Sequence, residues 1–203
     1  MTKLRSCEIE YKFKADHISW EEFEKFINKN RIGTFKIINK QLFTGFDDYY
    51  KLGLSVVRHR FGGASNQLTV KLRKSKKSIL NRIEQDLNFS KKTSVKDVGN
   101  FLIFSGYKLK FSLKKRAIVL WLENEAKVHF TMVLYEVFAL NNPNKKRRFL
   151  EIEVEKSNDL TQDVAELELG ILKHLLSKKM NFKKPLNKSL YEIFSGKSYR
   201  ISK

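Results

Sequence analysis

Six short segments of this chain carry charged side chains two residues apart, a spacing that gathers them for chemistry. They are Glu8/Glu10/Lys12, Arg58/Arg60, Lys71/Arg73, Arg82/Glu84/Asp86, Lys114/Arg116 and Glu151/Glu153/Glu155. Residues two apart in an extended strand share a face, so each set points one way. The alternate positions are apolar: Ile9/Tyr11/Phe13, Val57/Phe61, Val70/Leu72, Ile83/Leu87, Ala117/Val119 and Ile152/Val154. The acids concentrate in the first, fourth and last segments, and the other three are purely basic. Two Glu-x-Glu pairs from opposite ends of the chain can meet across a seam, where close carboxylates repel unless a cation neutralises them. Hard oxygen ligands suit Mg²⁺ or Mn²⁺. A ring of Arg and Lys beside such a metal is what a chain of phosphates requires.

Candidate metal ligands are therefore Glu8, Glu10, Glu151 and Glu153, with Glu84 and Asp86 as second-metal or water-positioning groups. Candidate phosphate contacts are Lys12, Arg58, Arg60, Lys71, Lys114 and Arg116, joined by Arg73 and Arg82 on the same faces or at a rim. Lys12 is also a candidate for catalytic proton transfer, as are the carboxylates. His17, His59, His129 and His174 show no metal-ligand spacing, and His59 is expected to point away from Arg58 and Arg60. No Ser-His-Asp set, Walker-type loop or zinc pattern is present.

These residues need strands to hold them. Residues 7–14 alternate with period two. Further strands are expected near 36–50, 54–62, 67–74, 81–90, 107–123 (one strand or two), 126–140 and 147–156, with Asn141 to Asn144 breaking the last pair apart. Ser19-Trp20-Glu21-Glu22 is a capping box opening a helix to about Asn30. Ser94 caps a second helix to about Ser105; amphipathic helices follow at about 159–179 and 188–195. Two architectures satisfy such alternation. An open antiparallel sheet would show its charged face to water. A closed barrel would turn that face inward, and charge inside a small barrel implies a ligand. The segregation of acids from bases favours the second: an α+β, β-rich chain built as a closed antiparallel eight-stranded barrel with a charged interior, covered outside by a few helices. Residues 1–203 read as one domain, with a C-terminal helical segment from about 158 packing on it.

Composition sets the outer limits. Of 203 residues, 41 are Lys or Arg and 22 Asp or Glu, giving +19. That favours polyanionic partners. Lysine supplies 31 of the 41, much of it in runs that a solvated surface explains equally well. No apolar run approaches the ~18 residues of a membrane span. The single cysteine, Cys7, excludes a disulfide scaffold and points to a reducing, cytoplasmic setting.

In their order along the chain, these segments resemble the CYTH superfamily, the triphosphate tunnel metalloenzymes. Glu8-Ile9-Glu10-Tyr11-Lys12 is similar to its N-terminal Glu-x-Glu-x-Lys signature, and Asp48-Tyr49-Tyr50 to its Asp-x-Tyr-Tyr region. Arg58-His59-Arg60, Lys71, Arg82 to Asp86, Lys114-Lys115-Arg116, Phe149 to Glu153 and Lys188-Ser189-Leu190-Tyr191 resemble the later motifs. The resemblance covers nearly the whole chain and implies an eight-stranded tunnel. In that family acids hold one or two divalent metals and bases hold a triphosphate, Lys188 being added to the bases here. Four features depart from the pattern: Asp86 replaces Glu, Tyr135 stands where an Asp is usual, Lys51 replaces a second Asp, and Asn141 to Arg148 is long and basic.

The expected function is metal-dependent hydrolysis of the terminal phosphoanhydride of inorganic, nucleoside or thiamine triphosphate, by a monomer or homodimer without membrane association. Two alternatives use the same residues: a class IV-type adenylyl cyclase making cAMP, and an RNA 5′-triphosphatase. A non-catalytic binder of RNA or of a phosphorylated ligand is the third. RNA would be engaged through the basic loop at 145–148 and the basic C-terminal segment.

Overall fold

The structure is a computed structural model. It describes residues 9–27, 31–63, 65–73, 82–90, 92–140, 142–155 and 160–195, with backbone alone at 71–73, 82–84 and 142–145. Its elements are β1 (Glu10–Lys14), α1 (Trp20–Ile27), β2 (Arg31–Ile32), β3 (Phe35–Leu52), β4 (Ser55–Gly62), β5 (Ser65–Arg73), β6 (Arg82–Asn88), α2 (Val95–Phe104), β7 (Lys108–Glu123), β8 (His129–Ala139), β9 (Asn142–Val154), α3 (Gln162–Met180) and α4 (Leu190–Phe194).

The strands form one antiparallel path, β1-β9-β8-β7-β3-β4-β5-β6, with β2 added beside β3. The hydrogen-bonded closure expected of a barrel is not made: among the described residues β1 and β6 are the two ends of the path. The sheet is nevertheless bent. Register shifts between Ile37 and Asn39 and between Tyr49 and Tyr50 supply bends along β3. At Gly45 and Gly62 the backbones of β3 and β4 close so tightly that a Cβ on Gly45 would lie 2.4 Å from the Phe61 carbonyl oxygen. A Cβ on Gly62, at φ +108°, would lie 2.7 Å from the Gly45 Cα.

Helices cover the outer face. The Ser19–Glu22 capping box forms as its sequence dictates, Glu22 N–H donating to Ser19 Oγ at 3.0 Å and Ser19 N–H to Glu22 Oε2 at 2.7 Å. It starts α1, which buries Phe23 and Ile27 against β-strand residues including Phe13, Leu120, Phe130 and Ile152. α3 adds Ala165, Leu169, Leu172 and Leu176 to the same core. α2 covers the other lobe, placing Val98 and Leu102 on Tyr50, Val57 and Leu68. α4 packs on the opposite, inner face: Leu190 and Phe194 join Tyr49, Phe111, Leu113 and Phe149. No helix among the described residues is long and apolar enough to cross a membrane.

One open alternative about the strands is resolved and one expectation is corrected. Residues 108–123 form one unbroken strand, the undivided of the two readings. Both of its faces are apolar beyond Arg116, with Ala117 and Val119 on one side and Ile118, Leu120 and Leu122 on the other, so it is packed on both sides. The expected break at 141–144 is not found in its described part, 142–144: Ala139 faces Asn142 and β9 begins there. The stretch 145–148 is consequently strand, not loop. Pro143 is tolerated because β1 pairs with β9 no earlier than Phe149.

Phe130 is fully buried and packs edge-on against Phe35, ring centroids 5.2 Å apart. Phe130→Ala is expected to cost about 3–5 kcal/mol. At roughly 2–4 °C per kcal/mol for a chain of this size, calorimetry will show a clear drop in Tm.

Candidate active site on the inner face of the sheet

Side chains directly opposite in an antiparallel register share a face, so the pairings define the inner surface. One end is a carboxylate and lysine ladder: Glu10 faces Glu153, and Lys12 faces Glu151. The other end runs through Asp47, Arg60, Gln67 and Asn88 in one row, and Tyr49, Arg58, Thr69 and Asp86 in the next. Between them lie Tyr135 and Lys115.

The charges are paired with short distances. Lys12 Nζ lies 2.8 Å from Glu151 Oε1 and 3.8 Å from Glu10 Oε1. Tyr135 donates its hydroxyl to the same Glu151 oxygen at 2.7 Å. Arg60 forks onto Asp47, Nε to Oδ1 at 2.8 Å and Nη2 to Oδ2 at 2.9 Å. Arg58 Nη2 donates to Thr69 Oγ1 at 2.9 Å. Lys115 Nζ stands 3.9 Å from the centre of the Tyr135 ring. Asp86 Oδ1 is buried and accepts no hydrogen bond among the described residues.

Burial and neighbouring charge compete at each group. Burial alone would raise the Asp47 carboxyl, but Arg60, with help from Arg58 and Lys115, holds it well below the usual carboxylate range. Glu151 behaves alike: burial is outweighed by Lys12, Lys115 and the Tyr135 hydroxyl. Burial pushes the Tyr49 and Tyr135 phenols up, and the Asp47 and Glu151 charges push them further, so both stay neutral donors. Lys115 is the exception among the cations. Burial and then the like charge of Arg60 lower it to about 7, against partial opposition from Asp47 and Glu151.

The structure brings Glu10, Lys12, Arg58, Arg60, Asp86, Glu151 and Glu153 to this one face. Lys71 and Glu84 stand opposite each other in the adjoining register, as do Arg73 and Arg82 one step further. Glu8 lies outside the described residues. Lys114 and Arg116 are not inside, contrary to expectation. They are exposed on the outer face, over the rings of Phe138 and Trp20, and Lys115 takes the inner position. Three consecutive charges give no alternation to read, and the packing of Ala117 decides the face. Lys188 is exposed ahead of α4. Glu155 accepts from Thr131 Oγ1 at 3.0 Å and is exposed. His59 is buried on the outer side as expected, its Nε2 2.9 Å from Asn66 Oδ1. Among the described residues no three acidic, His or Cys side chains are grouped closely enough to hold a metal ion. Sequence reasoning missed Asp47, Lys115 and Tyr135 as inner-face residues. The parity shared by Asp47 and Tyr49 was the available signal.

Asp47→Asn would leave Arg60 buried against a neutral amide, with an expected loss of about 3–5 kcal/mol in urea unfolding at pH 7. The folded pKa values of Asp47 and Glu151 are depressed. Their stabilisation is therefore present above the ordinary carboxylate pKa near 4 and lost as pH falls below it. Lys115 has the opposite sign of effect. Its charged form is disfavoured by folding, so the penalty is full below pH 7 and disappears as pH rises toward ~10.4. Lys115→Met is expected to stabilise the ligand-free protein by roughly 1–4 kcal/mol at pH 6 and by less at pH 9.5.

No protein-family model and no curated protein sequence matches this chain. Solved structures do. A conserved hypothetical protein from Pyrococcus furiosus aligns over 91% of this chain and 98% of its own, with TM-score 0.62 and 17% identity. A protein from Pyrococcus horikoshii OT3 aligns over 92% and 97%, with TM-score 0.56 and 22% identity. HpAC1 from Hippeastrum, a candidate adenylyl cyclase described as having a dominant triphosphatase activity, aligns over 96% and 97%, with TM-score 0.53 and 14% identity. The likeness spans nearly the full length of each, and at these identities it is one of architecture: the chain shares its fold with these three proteins, consistent with the triphosphate tunnel fold that its motifs resemble.

Proposed function

We propose that this chain is a divalent-metal-dependent triphosphatase whose substrate lies along the inner face of the sheet. The observation that carries the reading is the convergence there of Lys12, Arg58, Arg60 and Lys115 with a separate bank of carboxylates. The bends along β3 and the close approach of β3 and β4 at Gly45 and Gly62 support an enclosing, tunnel-like curl. The triphosphatase activity described for HpAC1 agrees with it.

Mg²⁺ or Mn²⁺ fits one place best. Glu10 and Glu153 stand directly opposite each other on the inner face, an all-oxygen pair of the kind a hard cation takes, Glu10 also lying 3.8 Å from Lys12 Nζ. Glu151, next in the ladder, is held by Lys12 and Tyr135. When bound, the metal supplies charge neutralisation at the phosphate oxygens. The chain's own residues do the rest. Arg58 and Arg60 hold the phosphate chain, positioned by Thr69 and Asp47. Lys12, held between Glu10 and Glu151, sits where the acidic bank meets the cations. Asp86, with its unsatisfied buried oxygen, orients a water and takes its proton as that water attacks the terminal phosphorus, Glu84 standing in the same strand. The phosphoanhydride bond breaks and diphosphate, or the corresponding diphosphate ester, leaves.

Lys115 adds a pH signature. Free protein above pH 7 holds it neutral, so a polyanion must draw a proton in on binding. Triphosphate affinity should fall as pH rises above 7, and Lys115→Met should flatten that slope; calorimetry in two buffers of different ionisation enthalpy checks it.

The function is tested with inorganic triphosphate, thiamine triphosphate and ATP in Mg²⁺ or Mn²⁺, products being followed by ³¹P NMR. Glu10→Gln with Glu153→Gln is expected to lower turnover at least ~100-fold with Tm unchanged. Wild-type turnover by that double variant would sink the assignment, and cAMP with diphosphate from ATP would replace hydrolysis by cyclisation.

A further inference from the structure

On the outer face, between the areas covered by α1 and α2, four strands present a row that no helix covers among the described residues. Phe61 of β4, Phe46 of β3, Lys114 of β7 and Phe138 of β8 are directly opposite one another in turn. All three rings are part-exposed and belong to none of the three apolar cores. Phe46 and Phe61 stack with centroids 5.4 Å apart, and Lys114 Nζ lies 5.9 Å from the Phe138 ring centre. The next row runs through Thr44, Arg116, Glu136 and Arg148. Arg116 is exposed and spread over Trp20 at 5.0 Å. Glu136, the one acid in the two rows, is already bonded to Arg148 Nη2 at 3.0 Å.

A solvated sheet face has no reason to leave three aromatic rings part-exposed in one line. Rings and a guanidinium plane at strand spacing, bordered by cations that lie over aromatic rings, are what unpaired bases and their phosphates require. We propose that this face binds single-stranded RNA, bases stacking along Phe61, Phe46 and Phe138 while Lys114 and Arg116 take the phosphates. Thr44, exposed beside Arg116, offers a hydroxyl for the ribose 2′-OH. This surface is on the opposite side of the sheet from the inner site and does not depend on what that site hydrolyses.

Fluorescence anisotropy with a labelled dodecauridylate lacking any 5′ phosphate tests the idea on the full chain. Binding is expected at 50 mM salt, weakening steeply with added salt. Lys114→Glu with Arg116→Glu should reduce affinity at least tenfold and lessen the salt slope by about one to two. Phe138→Ala should reduce affinity about fivefold or more while leaving the slope unchanged, since it removes stacking only. Hydrolysis at the inner site should be unaltered in all variants, which also shows that they fold. Absence of binding overturns the proposal. So does equal affinity for an RNA duplex of the same length, whose base faces are hidden, or equal affinity for anionic phospholipid vesicles. Wild-type affinity in both variants overturns it as well.

Discussion

The charged part of the inner face is governed by the difficulty of holding many charges together out of water. Isolated burial of a charge is costly, and two of the most buried acids are matched to cations with near-ideal geometry. Arg60 and Asp47 form a two-pronged pair, and Lys12 and Glu151 form a second, tightened by the Tyr135 hydroxyl. These contacts join β3 to β4, β1 to β9 and β8 to β9. They fix which way the strands roll, because one-residue slips would turn every such group into the apolar layer under α1 and α3.

Seen this way, the acids and bases have two levels of duty. Asp47 and Glu151 hold cations in place. Glu10, Glu153 and Asp86 are the carboxylates to which the proposed function gives a metal or a water. Among the described residues Lys115 has no carboxylate within an ion-pair distance, and its cation lies over an aromatic ring instead. Under the proposed function its charge would respond to an arriving polyanion, a group costly at rest and useful when substrate is present, in keeping with the tension between stability and function at reactive centres.

Much of this was legible in the amino-acid order. The alternation at Glu10-Tyr11-Lys12, Arg58-His59-Arg60 and Glu151-Ile152-Glu153 gave the strands and their inner faces, and Ser19 with Glu22 gave the start of α1. The illegible parts have definite physical causes. Lys114-Lys115-Arg116 has charge at every position, so only tertiary packing of Ala117 and Val119 chooses the face. Asp47 and Asp48 are adjacent acids, and register with Arg60 separates them. The β8–β9 hairpin was hidden by Asn141 to Asn144, which has loop composition yet meets no strand from β1 there to forbid Pro143. The two-residue β2 is too short to leave a periodic trace.

The amide of Leu186 donates to the carbonyl of Lys12 at 2.6 Å, on the side of β1 away from β9. An outermost strand with open carbonyls invites another chain to add itself, and the run leading into α4 occupies that position first. The same strap is anchored to the residue whose ammonium organises Glu10 and Glu151. Truncation before residue 186 would therefore both loosen Lys12 and uncover a template for self-assembly, coupling solubility to the order of the inner face through a single peptide group.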